Sequence, residues 1–251
     1  MRWEDEGVVL SARHWGETSR VVQLLTHAHG RHVGLVRGAS AAGRAHIYTP
    51  GNRVNACWSG RLPEHLGHFT CELVDARSAR VLHHPLRLAA VSSVCALAEW
   101  FLAEREPVPD VHAASEAILD RLAGTADWQT DYVLWELTLL RETGAGLDLT
   151  RCAVTGDTDD LAYVSPRTGR AVSKTSAGAW APRLLPLPEF LRTGAAPAQD
   201  DLLAALQLTG YFLHRNAVTH GRRALPPARM RLVDRLAASA SSQPPEGPDR
   251  Q

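Results

Sequence analysis

The chain has 251 residues, of which 45% are hydrophobic and 22% are charged, as is typical of a packed protein of one to three domains. No apolar run approaches the roughly 18 residues that span a bilayer. The acidic start MRWEDEGVVL lacks the positive charge and apolar core of a signal peptide, and four scattered cysteines do not suggest a disulfide framework. We therefore expect a cytoplasmic protein and no membrane contact.

The net charge is zero, but the charges are unevenly distributed along the chain. Residues 1–80 carry a net charge of +3, residues 81–150 carry −7 and residues 151–251 carry +4. Two basic ends around an acidic middle indicate contact with a polyanion at one end or both. The alternative is chance scatter among 27 basic and 27 acidic residues.

Residues 1–80 predict five strands. The runs EGVVLSAR, SRVVQLLT and RHVGLVRG are rich in β-branched residues, and two further runs alternate apolar side chains on one face, at Val54, Ala56 and Trp58 and at Phe69, Cys71 and Leu73. Five strands in this length leave no room for crossover helices. The segment therefore predicts a small antiparallel barrel, of which the OB-fold is the commonest five-stranded version.

Residues 81–237 predict an all-α domain, so the fold class is α+β with more than one domain. Leu88, Val91, Cys95, Ala98 and Leu102 recur on one face of a helix. The run DWQTDYVLWELTLLRETG is apolar on most sides and predicts a buried central helix, and two helices follow in DDLLAALQLTGYFLHRNAVTHG and PPARMRLVDRLAAS. Residues 238–251 are small, polar and rich in proline, which predicts a disordered tail.

A cluster of basic residues in the predicted barrel is the best candidate for a binding site. Guanidinium groups that follow a phosphate backbone, with aromatic faces on which bases stack, are typical of single-strand binding. The glycine-rich loop VRGASAAGRAH at 36–46 would allow close approach to phosphates, and a solvated basic loop without a ligand is the alternative. The predicted DNA-binding residues are Arg13, Trp15, Arg20, Arg31, Arg37, Arg44 and Arg53.

A second basic cluster lies near the C-terminus. Basic residues at helix ends complement the helix dipole, which is one explanation of the cluster. The other is a contact with an acidic peptide or with a second stretch of DNA. The candidates are Arg215, Arg222, Arg223 and Arg229.

No motif argues for an enzyme, and we expect no cofactor. His27, His29 and His32 form a cluster, but no nearby acid or cysteine completes a metal site. The stretch TGRAVSKT at 168–175 lacks the glycines of a phosphate-binding loop. A hydrolase that uses the scattered histidines is a remote alternative, which metal analysis would test.

Residues 148–176 have the layout of a zinc knuckle without its chemistry. Two pairs of positions are spaced as in a four-cysteine zinc site, but they hold one cysteine and three hydroxyls: Cys152, Thr155, Ser173 and Ser176. Zinc prefers thiolate or imidazole ligands. We therefore predict a metal-free, zinc-knuckle-like insertion that hydrogen bonds hold together.

In this order, the small barrel with GRHVGLVRGA, the helical body, the knuckle with YVSPRTGRAV and the C-terminal FLHRNAVTHGRRALPPAR resemble the RecO family of bacterial recombination mediators. The resemblance covers roughly residues 1–237. It implies an OB-fold, a helical second domain and, in some members, a zinc-binding insertion. The basic barrel residues, with Arg37 and Arg44 in the matching loop, would carry the family's DNA-binding role.

The resemblance also implies a function in DNA repair by recombination. Members bind single- and double-stranded DNA and anneal complementary strands. They contact the acidic C-terminal tail of single-strand-binding protein, and together with RecR they help to load RecA onto coated DNA at the nucleoid. No covalent catalysis is implied. The alternative is another OB-fold module that binds RNA or only protein and has no annealing activity.

Overall fold

The computed structural model describes residues 1–41, 43–62 and 64–241. Five strands form the N-terminal part: β1 (Arg2–Trp15), β2 (Ser19–Thr26), β3 (Gly30–Val36), β4 (Arg53–Ser59) and β5 (His68–Asp75). They form a closed sheet in the order β1-β2-β3-β5-β4, in which the first half of β1 pairs with β4 and its second half with β2. The five strands predicted from alternation are confirmed.

The interior of this barrel is filled by alternate side chains of the strands. Val54, Ala56 and Trp58 of β4 all point inward and are fully buried, as their spacing predicts. Gly34 lies where the ring of Phe69 fills the interior, and a Cβ at this position would be 2.4 Å from that ring. A short 3-10 helix at Ala45–Tyr48 adds the buried Tyr48 to the same core.

Helices dominate the rest of the chain: α1 (Arg77–Val81), α2 (Pro85–Phe101), α3 (Pro109–Ala123), α4 (Gln129–Glu142), α5 (Lys174–Ala177), α6 (Phe190–Thr193), α7 (Gln199–Thr219) and α8 (Pro227–Ser241). Proline begins three of them, where its missing N–H costs nothing. The predicted tail is wrong for residues 238–241, which continue α8. The remainder, residues 242–251, lies outside the described residues.

The region predicted to be all-α also contains a small antiparallel sheet. Its strands are β6 (Leu161–Val164), β7 (Ala171–Ser173) and β8 (Leu185–Pro186), in the order β7-β6-β8. Strands of two to four residues leave almost no alternation to recognise in a sequence. The sheet builds the insertion that follows α4, and the prediction of a purely helical second part is corrected accordingly.

The barrel packs against the helical region through a hydrophobic core that is separate from the barrel interior. Val8, Leu10 and Leu25 on the barrel strands belong to the same buried cluster as Val94 and Cys95 of α2. The central helix α4 is buried as predicted, with Tyr132, Trp135, Leu139 and Leu140 almost fully covered. None of the helices among the described residues is long and apolar enough to cross a membrane.

Candidate nucleic-acid interface

The loop that follows β3 presents two arginines to solvent. Arg37 and Arg44 are both exposed, and neither forms a salt bridge with any carboxylate in the described part of the chain. Gly38 and Gly43 next to them have φ angles of +67° and +81°, which favour glycine and allow the loop to turn tightly. The loop therefore carries positive charge that no internal partner neutralises.

The turn between β1 and β2 lies beside this loop. The backbone N–H of Ser40 donates to the carbonyl of Thr18 at 3.0 Å, and Arg20 Nε donates to Ser40 Oγ at 3.5 Å. Trp15, at the end of β1, leaves 62% of its surface exposed. The structure thus brings Trp15, Arg20 and the Arg37–Arg44 loop to one end of the barrel, which we call the basic end.

Three of the predicted arginines are occupied by acidic partners. Arg13 Nη2 lies 2.5 Å from Glu99 Oε1, and Arg53 Nη2 lies 2.7 Å from Glu116 Oε2. Arg31 is the most enclosed, with 13% of its side chain exposed. Contact of these three arginines with DNA stays a prediction. Because they are paired with acids, the six arginines predicted to bind DNA do not form one continuous unpaired surface.

Arg31 is fixed by three partners. Its Nε donates to the Leu102 carbonyl at 2.9 Å, its Nη1 donates to Gln23 Oε1 at 2.6 Å, and Glu104 lies 3.4 Å away. The contacts with Leu102 and Glu104 join β3 to the segment after α2. Arg31 therefore ties the barrel to the helical region.

The C-terminal basic candidates have different environments. Arg229 is 3% exposed and forms a two-pronged ion pair with the buried Glu136, so its assignment as a surface contact is wrong. Arg215 Nη1 donates to the Pro166 carbonyl at 2.5 Å and stacks on Phe212. Arg222 stacks on the ring of Trp100 at 4.5 Å and donates to its carbonyl, whereas Arg223 is exposed.

A cleft of about 260 Å³ lies beside Arg222, between the end of α2 and the end of α7. Its walls combine apolar surface from Trp100, Phe101 and Val108 with polar groups of both signs, the cationic Arg222 and the carboxylates of Glu106 and Glu142. An apolar wall next to a cation is the combination that an acidic peptide with an apolar end would need. The C-terminal basic residues are one candidate for such a contact, and no pattern in the sequence assigns the wall that α2 supplies.

The insertion brings all four knuckle positions together around Cys152. Cys152 is buried, its Sγ accepts from the Ser173 backbone N–H at 3.4 Å and contacts Ser173 Oγ at 3.6 Å, and Ser173 Oγ donates to Ser176 Oγ at 2.9 Å. Burial raises the pKa of the Cys152 thiol, but N–H donors from Ser173 and Thr155 outweigh it and lower the pKa to about 5. Hydrogen bonds hold this loop in place, while its metal content stays a prediction.

The three clustered histidines do not converge. His27 packs against His112, His29 Nδ1 lies 3.2 Å from Asp5, and His32 points into the barrel. Across the described residues, no group of three or more His, Cys, Asp or Glu side chains is placed to hold a metal ion. A cavity beside His32 could not be predicted from the sequence, because its walls come from distant parts of the chain and no local motif marks it.

Comparison with known proteins agrees with this architecture. The family model for the N-terminal domain of recombination protein O matches residues 1–77, and the model for its C-terminal domain matches residues 82–225. DNA repair protein RecO of Dinoroseobacter shibae is 48% identical over 238 residues, covering 94% of this chain and 98% of the relative.

Other relatives match over the same length. DNA repair protein RecO of Rhodospirillum centenum is 48% identical over 94% of each chain, and that of a Ruegeria species is 44% identical over 94% of this chain and 99% of the relative. These matches are consistent with a bacterial source and confirm the resemblance seen in the sequence. The chain belongs to the RecO family of DNA repair proteins.

Proposed function

We propose that this protein binds single- and double-stranded DNA through the basic end of an OB-fold barrel and anneals complementary strands. The observation that carries the proposal is the pair of exposed, unbridged arginines at Arg37 and Arg44 beside the exposed ring of Trp15. Guanidinium groups neutralise phosphates, and an aromatic face holds a base by stacking in a way that tolerates any sequence.

The proposed mechanism is physical and involves no covalent chemistry. Two strands repel each other through their phosphates, so arginines that replace counterions lower the cost of bringing the strands together. Bases held by stacking rather than by hydrogen bonds to their pairing edges remain free to pair. The protein would therefore act as a mediator at the nucleoid and not as an enzyme.

We further propose that the acidic C-terminal tail of single-strand-binding protein occupies the cleft beside Arg222. Support comes from its apolar walls and the adjoining guanidinium. Binding of a fluorescently labelled acidic tail peptide should weaken in Arg222→Ala. The neighbouring Arg223→Ala, which removes the same charge from an exposed position, should bind the peptide nearly as well as wild type.

Partnership with RecR and loading of RecA complete the proposed role. Release of coated DNA and annealing of two strands require contact with the coat protein and the strands at the same time. The cleft lies on the helical region and the basic end lies on the barrel, so the two contacts do not compete for the same residues. An annealing assay on DNA coated with single-strand-binding protein, with and without RecR, tests this combination.

The decisive experiment for the basic end is the salt dependence of single-strand binding by Arg37→Ala/Arg44→Ala. Each phosphate contact contributes about 0.7 to the slope of log K against log salt, so two lost contacts should flatten the slope by roughly 1.4. If the contacts contribute nothing at 1 M salt, the same loss at about 0.1 M salt corresponds to a roughly 25-fold lower affinity. Annealing should fall with it.

The matched control is Arg151→Ala/Arg167→Ala. Both residues are exposed on the insertion, so this variant removes the same charge from outside the barrel. It should keep the wild-type slope to within about half a unit, on the order of one lost contact or less. An unchanged slope in Arg37→Ala/Arg44→Ala would refute the basic end as the DNA site, and binding to RNA or to protein alone, without annealing, would favour the alternative OB-fold module.

A further inference from the structure

A cavity of about 240 Å³ opens at the end of the barrel opposite the basic end, beside the turn that joins β2 to β3. The indole rings of Trp3 and Trp58 line it; they lie within 15° of parallel with centroids 6.0 Å apart, too close for a third ring to insert between them, so they form one aromatic wall. His29 stacks flat on Trp3 at 3.9 Å, and the exposed Ala28 borders the cavity next to it. The walls therefore suit a flat, largely apolar group.

One wall carries a polar side chain without a partner. His32 is only 4% exposed, and neither of its ring nitrogens has a hydrogen-bond partner. Burial and the nearby charge of Arg105 lower the pKa of His32 to about 4, so the imidazole is neutral at physiological pH. A neutral imidazole offers one donor and one acceptor, which is the pair of functions found along the edge of a heterocyclic base.

A second unpartnered group borders the same cavity. Arg105 Nε is buried without a hydrogen-bond partner, although Arg105 Nη2 donates to the carbonyls of Glu64 and His65. The backbone of Arg105 has a φ of +63°, which is unusual for a residue other than glycine, and its N–H donates to the Arg31 carbonyl at 2.8 Å. The residue is held at the cavity with an N–H donor left over.

We propose that this cavity receives one unstacked nucleobase from a single strand bound by the protein, an inference that rests on the proposed DNA-binding function. A pocket for a complete small molecule has a volume of roughly 300–1,000 Å³, so this smaller cavity suits one base rather than a whole nucleotide. Arg105 disfavours a cationic occupant, although aromatic walls alone would accept one. A ring nitrogen or a carbonyl of the base would accept from Arg105 Nε, and the ring edge would pair with His32.

The test uses 2-aminopurine, a fluorescent base whose emission falls when it stacks on an aromatic ring. It is presented first as the free riboside, which has no phosphate, and then within a single-stranded oligonucleotide. The blocking variant is Ala28→Phe, which fills the entrance from an exposed position and leaves the cavity walls in place. Ala113→Phe on α3 is the matched control, because it adds the same ring at an exposed alanine elsewhere.

Wild type and Ala113→Phe should quench the riboside, whereas Ala28→Phe should bind it about 5- to 150-fold more weakly, the range expected for one lost stacked base. The riboside result decides between the outcomes even if the oligonucleotide does not bind. No quenching by wild type, or equal quenching by Ala28→Phe, overturns the base pocket.

The oligonucleotide separates this result from the proposed function. Salt-dependent binding of the strand without quenching of 2-aminopurine leaves the basic end intact and refutes the pocket. Conversely, the pocket is supported if wild type quenches the riboside and Ala28→Phe does not. If the oligonucleotide fails to bind in the same experiment, the proposed DNA-binding function is refuted. Circular dichroism of both phenylalanine variants confirms that they are folded.

Discussion

Removal of the buried cation Arg229 should destabilise the protein more than removal of any exposed arginine. Arg229 Nε and Nη2 donate to the two oxygens of Glu136 at 2.8 and 3.0 Å, and Nη2 also donates to the Leu206 carbonyl at 2.7 Å. Glu136 is fully buried and accepts further bonds from the hydroxyls of Tyr132 and Thr209. Nearly every polar atom of the pair is therefore satisfied.

The expected cost of Arg229→Met follows from the charge that stays behind. Two hydroxyl donors remain for Glu136, but its charge would have no counterion in the core. Breaking a buried pair in this way typically costs about 3–5 kcal/mol in the free energy of unfolding. For a protein of this size, that corresponds to a melting temperature lowered by roughly 6–20 °C.

Urea unfolding followed by circular dichroism measures the change, and Arg223→Met is the matched control. Arg223 is exposed, so its replacement should change the free energy of unfolding by about 0.5 kcal/mol or less. The double variant Glu136→Leu/Arg229→Met should recover most of the loss, because no unpaired charge remains buried. A loss below about 1 kcal/mol in Arg229→Met, well under the usual cost, would refute this account of the core.

Three further properties follow from local geometry. Gly30→Ala should lower the free energy of unfolding by at least about 1–3 kcal/mol in urea titrations, because Gly30 has a φ of +60° and a Cβ would lie 1.9 Å from the Glu106 carbonyl oxygen. Burial lowers the pKa of His32 to about 4 and also lowers that of His112, so between pH 6.5 and 4 the unfolded chain binds more protons than the folded protein. The free energy of unfolding should therefore be greatest above about pH 6.5 and fall as the pH drops towards 4. The variant His32→Gln should flatten this dependence. Purified protein should contain less than one zinc per chain by elemental mass spectrometry, and stoichiometric zinc lost in Cys152→Ser would contradict the metal-free knuckle.

The parts of the fold that the sequence predicted are those with strong local patterns. The alternation at Val54, Ala56 and Trp58 is enough by itself to predict a half-buried strand. In the same way, the apolar run around Trp135 predicts a buried helix without information from other segments. Short elements such as β8 have no such pattern, because two residues cannot show a period. They form only because β6 offers an edge to pair with.

The side-chain environments that decide the site depend on contacts between distant residues. The sequence around Arg229 reads as a basic surface helix, and nothing local shows that Glu136, in a different helix, is its partner. Gly210 leaves room for the guanidinium, since a Cβ there would lie 2.8 Å from it. The prediction of a surface role failed because burial of a charge is fixed by tertiary packing.

The uneven charge along the chain acquires a different meaning in the folded protein. Three carboxylates of the acidic segment 81–150 form salt bridges with arginines on the barrel strands. Glu99 pairs with Arg13, Glu104 with Arg31 and Glu116 with Arg53. These pairs use up part of the positive charge that the sequence suggested was available for a polyanion. Of the six predicted barrel arginines, only Arg20, Arg37 and Arg44 have no salt bridge in the described part of the chain, and all three lie at the basic end. DNA affinity should consequently depend on a few arginines at one end, not on the total charge of residues 1–80.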